Sequence, residues 1–222
     1  MSAFRAILSK DLRIELRTMQ SLPAMALFAV TIFVIFRFGL DRTTLQGSLA
    51  AGVLLVTVLF AALLAINRLF VAERDEGGFD AIRLAPVDPT SLLAAKIVAL
   101  LVYLAILEVI ALPVFAGFFL GSASALLPLA GIMLLLDLAL AATGALVSTI
   151  GANSRARDLL TPLVLLPLLI PAMIAAAGAA DPLLALNGPS YDGVGKWTAV
   201  LALYDLTFLL VGYAVYDFLL ED

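Results

Sequence analysis

Six uninterrupted apolar runs, each about as long as a helix needs to cross a bilayer, leave this chain few ways to fold. They cover Leu22–Gly39, Gly47–Ile66, Leu92–Leu120, Leu126–Ile150, Leu159–Ala180 and Trp197–Leu220, and crossing takes about 20 such residues. Hydrocarbon satisfies no backbone N–H or C=O group, so each run must be helical; the alternation of a barrel strand is absent. A hydrophobic share of 64% and a mean hydropathy of +1.13 exceed the about 45–50% of a soluble domain. The chain reads as an all-α polytopic membrane protein, one domain over 1–222 with no repeat or linker. Pro113 and Gly117 predict a bend in the long third run.

Basic residues orient the spans. Assigned to alternate sides, the 13 Lys and Arg side chains divide ten against three, which places both termini and the charged loop after span two in the cytoplasm. A polar stretch of about 20 residues before the first run argues for an uncleaved anchor rather than a signal peptide. That leading segment, residues 1–21, is amphipathic. Phe4, Ile7, Leu8, Leu12, Leu16 and Met19 fall at helical spacing, with Arg5, Lys10, Arg13 and Arg17 mostly opposite. Such a helix is expected to lie in the headgroup region, apolar face down, or to pack on protein.

The segment Asn67–Lys96 carries nine of the chain's 30 charged residues. Gly77-Gly78 breaks any helix entering from span two, and the short run that follows sets Phe79 and Ile82 one turn apart, with Asp80 and Arg83 beside them. Asp88 is suited to cap the next helix and Pro89 to begin it. The loop over 67–91 therefore reads either as a solvated connection or as a short coupling helix whose apolar side enters a groove on a cytoplasmic partner. Arg74 and Asp75 belong to the same candidate surface.

Several polar groups sit inside the spans. Glu108, Asp137 and Asp205 each cost about 2.5–3.5 kcal/mol at the centre of a membrane helix, so they must face the bundle. Arg37 and Glu108 lie at similar distances from the cytoplasmic starts of their spans, which predicts an ion pair; the acids form either static interhelical contacts or a switching cluster. Pro162, Pro167 and Pro171 each remove a backbone hydrogen bond, which predicts a kinked or split fifth span. Residues 181–196 read as an outer loop, either an ordinary connection or a docking surface.

Zero His and zero Cys remove thiol nucleophiles, the usual zinc sites and the usual imidazole base. No basic stripe points to nucleic acid. The Gly-Lys pair at 195–196 lacks the upstream Gly and the Ser or Thr of a phosphate loop, so no phosphate-binding cradle is read there.

The runs "INRLFVAERDEGGFDAIRLAPVDPTSLLAAK", "LVLLPLLIPAMIAAAG" and "YDLTFLLVGYAVYDFLLED" resemble the permease B subunit of the cytochrome c maturation system, the haem exporter permease family. Asn67, the "GGFD" stretch and "NSRARD" depart from the family's usual pattern. The resemblance implies a type-2 ABC exporter permease with an N-terminal elbow helix and a coupling helix, non-catalytic, working with a separate ATPase subunit. It further implies a haem-handling membrane protein and a periplasmic haem chaperone as partners, and leaves room for a second copy of the chain. Haem would be handled by the complex rather than bound here with His or Cys, and ATP would sit on the partner. A permease for a lipid, drug or glycan and a non-transporting scaffold are the alternatives.

Overall fold

The computed structural model describes residues 3–39, 44–69, 88–120, 124–151, 157–185 and 188–221. Seven helices and no strands occur among them: α1 Ala3–Thr18, α2 Leu22–Gly39, α3 Gly47–Arg68, α4 Pro89–Phe119, α5 Leu126–Gly151, α6 Arg157–Leu183 and α7 Val194–Glu221. The last six are long and apolar enough to span a membrane. Their limits follow the apolar runs to within about three residues, because the cost of exposing a backbone polar group to lipid ends a span where the apolar residues end.

Helix α5 is the centre of the bundle, packed against α3, α4, α6 and α7. Small residues permit the approach. Ala139, Ala141, Ala142 and Ala145 are buried on α5, and Ala172, Ala175, Ala176, Ala179 and Ala180 on α6, as expected where helices associate through van der Waals contact rather than a hydrophobic effect. Gly178 shows how close α6 and α7 come: a Cβ there would lie 2.6 Å from the Trp197 ring. By contrast α2 and α7 are mostly exposed and form the rim.

Phe33, Phe115 and Phe119, all buried, join α2 to α4, with Phe33 5.5 and 6.3 Å from the other two ring centroids. This cluster fixes the register of the two helices at the end of the bundle remote from α1. There the Leu45 N–H donates to the Phe119 carbonyl and the Gly47 N–H to the Leu184 carbonyl, so three loops meet. Gly47 has a φ of +55°, a conformation that suits glycine.

Two alternatives are narrowed. Helix α6 runs unbroken through Pro162, Pro167, Pro171 and Pro182, so the fifth span is not split. The Tyr204 hydroxyl of α7 donates to the Leu168 carbonyl of this helix at 3.0 Å; the carbonyls deprived of a donor by the prolines are those four residues earlier, at 158, 163, 167 and 178. For α1, the alternative of packing on protein is the one seen. It packs on α4, with Asp11 and Glu15 buried at the contact, Ile7, Leu8 and Leu12 beside them, and Leu16 and Met19 exposed.

Candidate functional site at the loop anchor and the intramembrane acids

The charged loop leaves α3 at Leu69 and returns at Asp88, and both ends are held. At the return, Asp88 accepts the Thr90 N–H at 3.2 Å and the Thr90 hydroxyl at 2.6 Å, with Pro89 in the first turn. This is the cap expected from the residue types. The two Thr90 bonds, hydroxyl first, hold the exposed Asp88 carboxyl below the usual carboxylate range.

Two turns into α4, Lys96 is almost fully buried. Its Nζ lies 2.9 Å from Asp11 Oδ2 and donates to the Leu69 carbonyl at 3.1 Å. The Asp11 contact is an ion pair lying off hydrogen-bond geometry. One ammonium thus joins α1, the exit of α3 and the start of α4. The same exit is gripped from α5, where the Ser148 hydroxyl donates to the Ile66 carbonyl at 3.3 Å. The Tyr103 hydroxyl adds a bond to the Asp11 carbonyl at 3.1 Å.

Glu15, one turn after Asp11, completes the junction. Its Oε1 accepts the N–H groups of Ser21 and Leu22 at 2.7 and 2.8 Å, which are otherwise unpaired at the start of α2 and carry its positive dipole end. An acid pair on a basic helix is the signal that distinguishes these residues. A lone lysine in "LLAAKIVALL" is the matching signal on α4, since an apolar helix retains a buried charge only against a partner.

The eight residues proposed to meet an ATPase, Arg74, Asp75, Gly77, Gly78, Phe79, Asp80, Ile82 and Arg83, lie outside the described residues. What is described is the frame that carries them. Its anchors are Leu69, Asp88 and Lys96.

Within the bundle, Glu108 stands eleven residues before the end of α4, Asp137 eleven after the start of α5 and Asp205 eleven after the start of α7. At 1.5 Å per residue each is about 16 Å from the helix end remote from α1, about half the hydrocarbon thickness. All three are buried. Glu108 and Asp137 face each other, whereas Glu108 Oε1 and both carboxyl oxygens of Asp137 and of Asp205 meet no hydrogen-bond partner of proper geometry among the described residues.

The structure brings Asp137 to Glu108, not Arg37. Phe33 is level with Phe115 and Phe119, and Arg37 lies one turn beyond Phe33 toward the remote end, while Glu108 lies two turns below Phe115. Counting from the starts of the spans matches Arg37 with Glu108 only because α4 is 31 residues long and α2 is 18. The depth mismatch is about 14–16 Å.

Near this layer, Tyr204 ties three helices. Its single phenolic proton goes to the Leu168 carbonyl, so the Thr143 hydroxyl, 3.0 Å away, is the donor in their contact. Pro162, Pro167 and Pro171 share the α6 helix that this bond reaches.

The family model described as "CcmB protein" matches residues 2–217. Heme exporter protein B of Rhodobacter capsulatus is 29% identical over 113 residues, 50% of this chain and 52% of that protein. Heme exporter protein B of Bradyrhizobium diazoefficiens is 29% identical over 157 residues, 70% of this chain and 63% of that protein. The chain therefore spans between about half and two thirds of the length of these curated relatives.

Proposed function

Because the chain belongs to the CcmB family, we propose that it is the membrane-spanning permease subunit of an ABC complex serving cytochrome c maturation. A separate ATPase subunit hydrolyses ATP in the cytoplasm, where both termini and the loop over 67–91 of this chain lie. Phe79 and Ile82 enter a groove of that subunit, with Arg74, Asp75, Asp80 and Arg83 around them and Gly77-Gly78 as the turn. The observation that carries this reading is the Lys96 junction. A loop anchored at both ends to α1, α3 and α4 passes a displacement to three helices at once, whereas a merely solvated loop needs no such anchor.

Haem is the cargo of the complex. With no His or Cys in this chain, haem stays with the haem-handling membrane protein and the periplasmic chaperone, and helix movement here releases the loaded chaperone from the outer face, which includes residues 181–196. Phe79→Asp is expected to detach the ATPase subunit in co-purification while the protein still inserts, and to stop c-type cytochrome assembly with haem-loaded chaperone accumulating on the membrane complex. Normal cytochromes together with a lipid, drug or glycan retained in the inner leaflet would replace this reading with that of a general exporter. Full ATPase recovery with Phe79→Asp would remove the coupling role.

A further inference from the structure

On the outside of the bundle, α4 and α5 border a cleft of about 560 Å³, lined by Val109, Leu112, Pro113, Leu127, Ala130 and Leu134. The lining is almost wholly apolar except for Glu108. That residue is only 5% exposed, its Oε1 has no hydrogen-bond partner among the described residues, and Asp137 stands behind it with both oxygens in the same condition. A second acceptor borders the cleft. Pro113 has no N–H to give the Val109 carbonyl four residues earlier, the bond a regular helix would make.

Acceptors gathered at one point call for a donor, and their depth restricts its source. Phospholipid presents only hydrocarbon about 16 Å inside the helix end, and water is excluded there. A side chain carried on another membrane helix reaches that level. Two carboxyl groups favour a cation over a hydroxyl, because opposite charge offsets the desolvation that both acids undergo on insertion. The rim is suited to a helix as well: Val109 and Leu127 are 75% and 84% exposed.

We propose that the α4–α5 cleft receives a transmembrane helix of a different protein, which brings a lysine or arginine to the Glu108–Asp137 pair. The inference rests on the cleft alone and is independent of the cargo and of the ATPase contact.

The test places a photoreactive benzoylphenylalanine at Leu127 or at Val109 in the full complex in native membranes, with Leu27, exposed on α2, as the control position. The expected result is an adduct whose mapped peptide is an apolar span of another protein, with a Lys or Arg within one helical turn of a Val109 crosslink, or about three turns deeper in the membrane than a Leu127 crosslink. Glu108→Gln keeps the size of the side chain and removes its charge, so it is expected to lower adduct yield at Leu127 about tenfold or more, leaving the Leu27 pattern unchanged. The proposal is overturned by adducts with lipid alone, by peptides from a second copy of this chain, by a span without a basic residue, or by an unchanged yield in Glu108→Gln. The mapping arm needs no acid variant, so a misfolded Glu108→Gln does not leave the question open.

Discussion

Replacing Lys96 by Met keeps the length of the side chain and removes its charge. In the folded protein Asp11, 8% exposed, then keeps only the half-exposed Lys10 ammonium, 3.3 Å from its Oδ1, in place of the buried cation at 2.9 Å, and the Leu69 carbonyl loses a donor at 3.1 Å. At an effective dielectric of about 20 the direct attraction at that distance is about 6 kcal/mol, most of it offset by the desolvation of both groups. Breaking a buried pair by removing one partner costs about 3–5 kcal/mol. At roughly 2–4 °C per kcal/mol for a chain of this size, the midpoint should fall by about 6–20 °C.

Thermal unfolding in detergent, followed through the fluorescence of Trp197, measures the change. Asp11→Asn alone should also destabilise, and the double variant should lose less than the sum, with a coupling of about 2 kcal/mol or more, because neither charge is then left unpaired. Strictly additive losses, or a Lys96→Met midpoint within about 2 °C of wild type, would refute the junction as a structural element. A functional arm separates anchoring from stability. At a temperature where Lys96→Met remains folded, ATP hydrolysis by the partner should continue while release of the chaperone falls, since the loop then moves without carrying α1 and α4.

Three further outcomes are expected. Glu15→Ala should cost about 1–2 kcal/mol by uncapping the start of α2, while Glu15→Gln, which keeps an acceptor oxygen, should retain most of the stability; equal losses would place the effect elsewhere than the two bonds to Ser21 and Leu22. Gly178→Val should destabilise by about 1–3 kcal/mol and shift the Trp197 emission, because its Cβ would fall 2.6 Å from the indole; an unchanged spectrum would mean that α6 and α7 separate without cost. Asp88 has a depressed carboxyl value in the folded state, so its contribution is present above the unfolded value and lost as pH falls through the folded one. The midpoint difference between wild type and Asp88→Asn, which keeps the cap without titrating, should therefore change as pH falls below about 4 and stay constant above that.

The six spans, the helix before them, the Asp88–Pro89 start of α4 and the family were all legible in the chain itself. Each rests on a local cause: length of apolar run, helical spacing, a cap beside a proline, or a contiguous motif. The inward-facing acids were legible as a class for the same reason, since a carboxyl in the middle of an apolar run has to avoid lipid. Which acid met which partner was not. Arg37 misses Glu108 because the Phe33–Phe115–Phe119 cluster sets the register of α2 against α4, a contact that joins residues more than 80 positions apart, and Glu108 meets Asp137 because α4 packs along α5. The course of α6 was likewise decided by its neighbours: proline removes backbone bonds in any sequence, but whether a helix then splits depends on the packing around it, here against α3, α5 and α7. At the loop anchor, Asp11 and Lys96 look like ordinary charges on separate segments, and only folding, which takes both out of water together, makes each the other's necessary partner.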